Sequence, residues 1–67
     1  MLEPNDRTSL IARKEEVRRA LEQARRALEA AQQQAVPAPR QVAQLEAQVE
    51  RLMAEEFNLR LAIDRSR

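Results

Sequence analysis

The sequence predicts an all-α protein: a two-helix antiparallel coiled-coil hairpin, completed to a four-helix bundle by association. Three observations predict this fold. The chain contains no glycine, which leaves few ways to build a tight β-hairpin. It is rich in Ala, Leu, Glu, Gln and Arg, which are strong helix formers. Apolar residues also recur at heptad spacing on both sides of one proline-containing segment.

The length of the chain is the reason to expect association. Its 67 residues are treated as one helical hairpin, residues 1–67. A chain of this size is close to the limit at which one hydrophobic core offsets the conformational entropy lost on folding. A second chain that covers further apolar surface would add the missing stabilisation.

The segment VPAPR, residues 36–40, divides the chain into two helices. Its two prolines stop a helix or a strand from running through, and Pro39 suits the first position of a new helix. We therefore predict helix 1 over about 6–35, with Asn5 or Asp6 as its N-cap, a loop over 36–39 and helix 2 over about 39–64. A loop this short favours antiparallel neighbours.

Both helices keep one heptad register throughout. In helix 1 the d positions hold Leu10, Val17, Ala24 and Ala31, and the a positions hold Lys14, Leu21, Leu28 and Ala35. In helix 2 the a positions hold Val42, Val49, Glu56 and Ile63, and the d positions hold Leu45, Leu52 and Leu59. Antiparallel packing places a opposite d. The residue numbers of each facing pair then add to the same total, which indicates a hairpin centred on the proline loop.

Two charged residues, Lys14 and Glu56, stand at core positions in adjacent layers. They could form an ion pair that fixes register and orientation. Alternatively, both long side chains extend to solvent at the loosely packed end. Arg25 and Glu46, at facing e positions, are a further predicted pair on the surface.

Helix 2 carries a second apolar stripe outside the predicted seam. Met53, Phe57 and Leu61 follow at intervals of four residues, and a two-helix hairpin cannot cover them. Leu10 and Ile11 fall at the same end of the hairpin. The stripe predicts a partner interface centred on Phe57. The alternative is that Phe57 folds over the open end of its own hairpin.

The sequence offers no catalytic, cofactor-binding or metal-ligating residue that stands out. Cysteine and histidine are both absent, which excludes thiol chemistry, Cys/His zinc sites and imidazole acid–base catalysis. The adjacent carboxylates Glu15 with Glu16, and Glu55 with Glu56, point in different directions on a helix. We therefore predict a protein that is not an enzyme and needs no cofactor.

The Arg18-Arg19 and Arg25-Arg26 pairs recur at seven residues and could contact phosphates. Glutamates recur at the same interval, however, so Glu15 with Arg19 and Glu22 with Arg26 form i, i+4 pairs that explain the pattern without nucleic acid. The net charge is +1, which gives no field that steers the chain to nucleic acid. No apolar run reaches membrane-spanning length and no signal peptide is recognisable, so a cytoplasmic location is expected.

The segment ERLMAEEFNLRLAI, residues 50–63, resembles the second helix of small bacterial SlyX/YdcH-type coiled-coil proteins. The resemblance rests on a Glu-Arg-Leu motif followed by a Glu-apolar-Leu-basic spacing, carried by Glu50, Arg51, Leu52, Glu55, Phe57, Leu59, Arg60 and Ile63. Two helices around a proline turn are also similar to small type III secretion co-chaperones and needle subunits. Neither resemblance assigns functional residues.

These observations favour a structural or adaptor protein that acts through association of its helical hairpin. The partner is the chain itself, as a homodimer, or another helical protein. The alternative is a small chaperone or secretion-system subunit whose hairpin packs on a different protein. A helical hairpin that binds RNA or DNA is the third interpretation.

Overall fold

The computed structural model describes residues 6–66, which form two helices, α1 (Arg7–Gln32) and α2 (Pro39–Arg65). The helices pack against each other along their length, and the molecule measures 49 × 16 × 15 Å. Two helices of 26 and 27 residues laid end to end would extend to roughly 80 Å at about 1.5 Å per residue. The chain therefore folds back on itself, and the predicted all-α hairpin is confirmed.

Asp6 caps the start of α1. Its backbone is extended, with φ −62° and ψ 143°, and its carboxylate accepts a hydrogen bond from the Thr8 backbone N–H at 3.1 Å. The bond satisfies one of the amides that the first turn of a helix leaves without a partner. Of the two predicted caps, Asp6 is confirmed, and Asn5 lies outside the described residues.

Helix α1 ends at Gln32, three residues before the predicted boundary, and residues 33–38 form the connection to α2. Pro37 disfavours helical geometry at Val36, and the chain has no glycine to close the helix with a left-handed residue. The Gln33 backbone N–H donates to Glu29 O at 3.1 Å and completes the last turn. As a result Ala35, assigned to the core by its heptad position, is exposed in the connection.

Pro39 is the first residue of α2, as predicted. It fits there because its missing N–H would have no intrahelical partner and its fixed φ suits the first turn. At the other end α2 continues one residue past the predicted boundary, to Arg65. The Ser66 backbone N–H donates to Ala62 O and Ile63 O at 3.1 and 3.2 Å, which closes the final turn.

The core lies along the predicted a/d seam and is thin. The fully buried residues are all on α1 and occupy its a and d positions: Val17, Leu21, Ala24 and Ala31. The seam residues of α2 are only half-buried, and none is fully buried. A hairpin of two helices covers each seam from one side only, so this core leaves much apolar surface in contact with water.

Neither helix in residues 6–66 is long and apolar enough to cross a membrane.

Candidate protein interface

The apolar stripe on α2 is exposed along its whole length. Met53 is 47% exposed, Phe57 56% and Leu61 37%. Each step of four residues advances about 40° around a helix, so the stripe starts beside the seam at Met53 and turns away from α1 by Leu61. More than half of the Phe57 side chain is accessible, which favours a ring that faces solvent over one that folds over the open end of its own hairpin.

Helix α1 exposes less apolar surface than α2 at this end of the molecule. Ile11 is 44% exposed, whereas Leu10 is half-buried in the seam. A shallow depression of about 230 Å³ lies at the open end, lined by Leu10, Ala62, Arg65 and Ser66. Ile11 thus presents apolar surface to solvent, and Leu10 is one of the residues that line the depression.

Two residues of the stripe, Phe57 and Leu61, also belong to a longer heptad pattern that the sequence reasoning missed. Along the outer face of α2, residues separated alternately by four and three positions are all exposed: Ala43, Ala47, Glu50, Ala54, Phe57 and Leu61. We call these six residues the outer seam. In the sequence the outer seam is a second heptad series, at positions b and f of α2. Three of its members are alanines, and because alanine is common throughout the chain the series does not stand out. The outer seam lies nearly opposite the side that α2 turns toward α1.

Lys14 and Glu56 do not form the predicted ion pair. Glu56 instead accepts a hydrogen bond from the Arg60 guanidinium at 3.0 Å, with its side chain 20% exposed. Within residues 6–66 no ion pair involves Lys14. Arg60 is one turn further along the same helix, in the order Glu before Arg that favours an i, i+4 pair. Lys14 belongs to another layer of the opposite helix.

One ion pair joins the two helices in the described part of the chain. Arg13 donates to both carboxylate oxygens of Glu55 at 2.8 and 3.2 Å, and also to Glu16 on its own helix at 3.3 Å. The hydrogen bond to Glu55 is the main reason that the pKa of Arg13 is raised. Both residues occupy g positions, which face each other in an antiparallel pair. The pair predicted between Arg25 and Glu46 is not among those formed.

The arginines of α1 are interleaved with glutamates. The Glu22–Arg26 pair forms as predicted, with an N–O distance of 2.9 Å. Glu15 pairs with Arg18 at 3.3 Å and not with Arg19. An open groove of about 430 Å³ runs beside them, lined by Arg18, Leu21, Glu22, Arg25, Arg26, Glu29 and Glu56. The groove therefore carries both signs of charge.

No protein-family model matches this chain, and comparisons with curated proteins and with solved structures give no significant match. The resemblance of residues 50–63 to SlyX/YdcH-type proteins stays a prediction.

Proposed function

We propose that this protein is a non-catalytic structural or adaptor module that acts by binding another helical surface through its exposed apolar patch. The patch consists of Met53, Phe57 and Leu61 on α2, with Ile11 and Leu10 at its margin. The observation that carries the proposal is the exposure of Phe57: the one aromatic side chain of the protein is 56% exposed. Large apolar residues that cluster on a surface usually mark an interface.

Energetic considerations support the same function. Burying a side chain of this kind contributes roughly 1.5 to 3 kcal/mol. A single small core supplies about 3 to 5 kcal/mol of net stability, and among residues 6–66 only four are fully buried. Because Met53, Phe57 and Leu61 are already about half buried, covering them would add roughly half of that amount each, together about 2 to 4 kcal/mol, which is comparable with the total stability of the hairpin.

The test is the substitution Phe57→Ala, measured by sedimentation and by thermal melting. We expect association to weaken by a few kcal/mol, as for a central aromatic residue in an interface. The matched control is Val36→Ala, because Val36 is an exposed apolar residue, 86% accessible, in the connection far from the patch. Unchanged association and unchanged melting for Phe57→Ala would contradict the proposal.

The second candidate is a small chaperone or secretion-system subunit whose patch is covered by a different protein. This candidate uses the same interface residues. The two candidates differ in how the purified chain behaves without any other protein. Self-association predicts a cooperative melt and a dimeric mass by light scattering. A monomer that melts broadly until a partner is added would favour the second candidate.

A further inference from the structure

The outer seam has the spacing of a coiled-coil interface, although nothing in residues 6–66 packs against it. Its six residues alternate in steps of four and three and are all exposed, as are the a and d positions of a helix before its partner binds. Five of the six are apolar, and the exception is Glu50. The small members, Ala43, Ala47 and Ala54, cluster toward the loop. The large members, Phe57 and Leu61, lie toward the open end.

We propose that the occupant of this seam is a second copy of the chain, packed antiparallel to the first along the outer face of α2, with the two-fold axis at the level of Leu52. This inference rests on the proposed function, and it identifies the binding partner of the protein as a second copy of the same chain. In this arrangement Phe57 faces Ala47 of the second copy, and Leu61 faces Ala43. Every large side chain then meets a small one, which is how facing layers interdigitate without a void or a clash.

The charges favour antiparallel over parallel copies. A parallel pair would place Glu50 beside Glu50 and Phe57 against Phe57. In the antiparallel pair Glu50 faces Ala54 instead. On one flank, Glu46 of each copy lies opposite Arg60 of the other, which gives two symmetric ion pairs on either side of Met53. The Arg60 guanidinium has further N–H groups to donate besides the one bound to Glu56.

The other flank opposes the association weakly. It brings Arg51 of both copies close to the two-fold axis, and Arg51 is exposed. Like charges at the rim of an interface are screened by water and salt. The two Glu46–Arg60 contacts therefore offset this one unfavourable contact.

The amount of exposed surface fits a dimer. The chain has an accessible surface of 5482 Å² and a mass of 7.7 kDa, whereas a compact monomer of that mass exposes about 4,300 Å². The excess of about 1,200 Å² is larger than the share of about 800 Å² that each partner contributes to a standard interface. One further chain along α2 would therefore cover about two thirds of it.

Disulfide cross-linking tests the arrangement, because the natural chain has no cysteine. Under mild oxidation, Met53→Cys should form a covalent dimer by itself, since this position meets its own copy at the axis. Glu46→Cys and Arg60→Cys should each form no covalent dimer alone and should cross-link when the two variants are mixed. Gln48→Cys, exposed on α2 but outside the seam, is the control and should not cross-link. Cross-linking of Glu46→Cys or Arg60→Cys with itself would overturn the antiparallel arrangement.

A second variant separates this inference from the proposed function. Ala47 is ten residues from Phe57, about 15 Å along the helix, so it is remote from the apolar patch. Ala47→Arg retains good helix propensity and should raise the dimer dissociation constant at least 100-fold, with the far-ultraviolet circular dichroism unchanged. If Phe57→Ala weakens the dimer and Ala47→Arg does not, the copies do not pack along the outer seam. The proposed function of the apolar patch would then still stand. If the purified parent chain remains monomeric at millimolar concentration, the seam does not bind a second copy of the chain. The proposed function would then require binding to a different protein.

Discussion

The Arg13 guanidinium on α1 binds both carboxylate oxygens of Glu55 on α2, the shorter N–O distance being 2.8 Å. This two-oxygen contact connects the g flank of the hairpin, where the flanking residues are otherwise small or uncharged, such as Ala20 and Gln48. The opposite flank holds the mixed-charge groove and Met53. The hairpin therefore has one flank closed by an ion pair and one that is open.

The Arg13–Glu55 pair should contribute little to stability. The side chains are 55% and 34% exposed, and exposed pairs contribute about 0.2 to 1 kcal/mol. In a double-mutant cycle with Arg13→Gln and Glu55→Gln, we expect a coupling free energy in that range, decreasing with added salt. The matched control is the exposed pair of Arg18 and Glu15 within α1. A coupling above about 2 kcal/mol would show that the contact is less solvated than its exposure indicates.

The hairpin itself can be tested by distance measurement in solution. Ala12 and Asn58 are exposed, make no ion pair in the described chain and lie outside the outer seam. Spin labels at these two positions should be less than roughly 30 Å apart, because packed helix axes are about 8 to 10 Å apart. One continuous helix would separate them by about 70 Å. Dilution with unlabelled chain removes distances between copies.

Glu56 should couple energetically to Arg60 and not to Lys14. Only the first pair is in contact, at 3.0 Å. In single and double replacements by Met, the effects of Glu56→Met and Lys14→Met on unfolding free energy should add within about 0.5 kcal/mol, as for independent sites. The Glu56 and Arg60 replacements should deviate from additivity, because replacing Arg60 leaves the half-buried Glu56 carboxylate, 20% exposed, without its partner. Additivity for both pairs would mean that Glu56 is solvated in solution.

The fold could be predicted because two independent features of the sequence agree. The heptad series and the proline segment, with Pro39 at the start of α2, both specify a hairpin. The end of α1 was the least accurate boundary. Local propensity allows Gln33, Gln34 and Ala35 to continue the helix, and only the restriction that Pro37 places on Val36, together with the turn geometry, ends it earlier.

The ion pairs were harder to predict than the apolar positions. A heptad register places a side chain on a face, but long Arg, Lys and Glu side chains reach several neighbours of nearly equal energy. Glu56 therefore pairs with Arg60 and not with Lys14, and Glu15 pairs with Arg18 and not with Arg19. The exposure of Phe57, by contrast, follows from the helix period alone, because no second element of the hairpin reaches that face.

Leu21→Ala connects the stability of the hairpin to its association. Leu21 is 5% exposed at the centre of the seam, and removing a buried leucine costs about 2 to 5 kcal/mol, as much as the core of a small domain supplies. We expect the variant to be largely unfolded at micromolar concentration and to regain helix as the concentration rises, because association of folded chains shifts the equilibrium by mass action. Circular dichroism over a hundredfold dilution series measures this, with Leu28→Ala, at a half-buried seam position, as a milder control. A Leu21→Ala chain whose helix content is the same at every concentration would show that folding and association are not coupled.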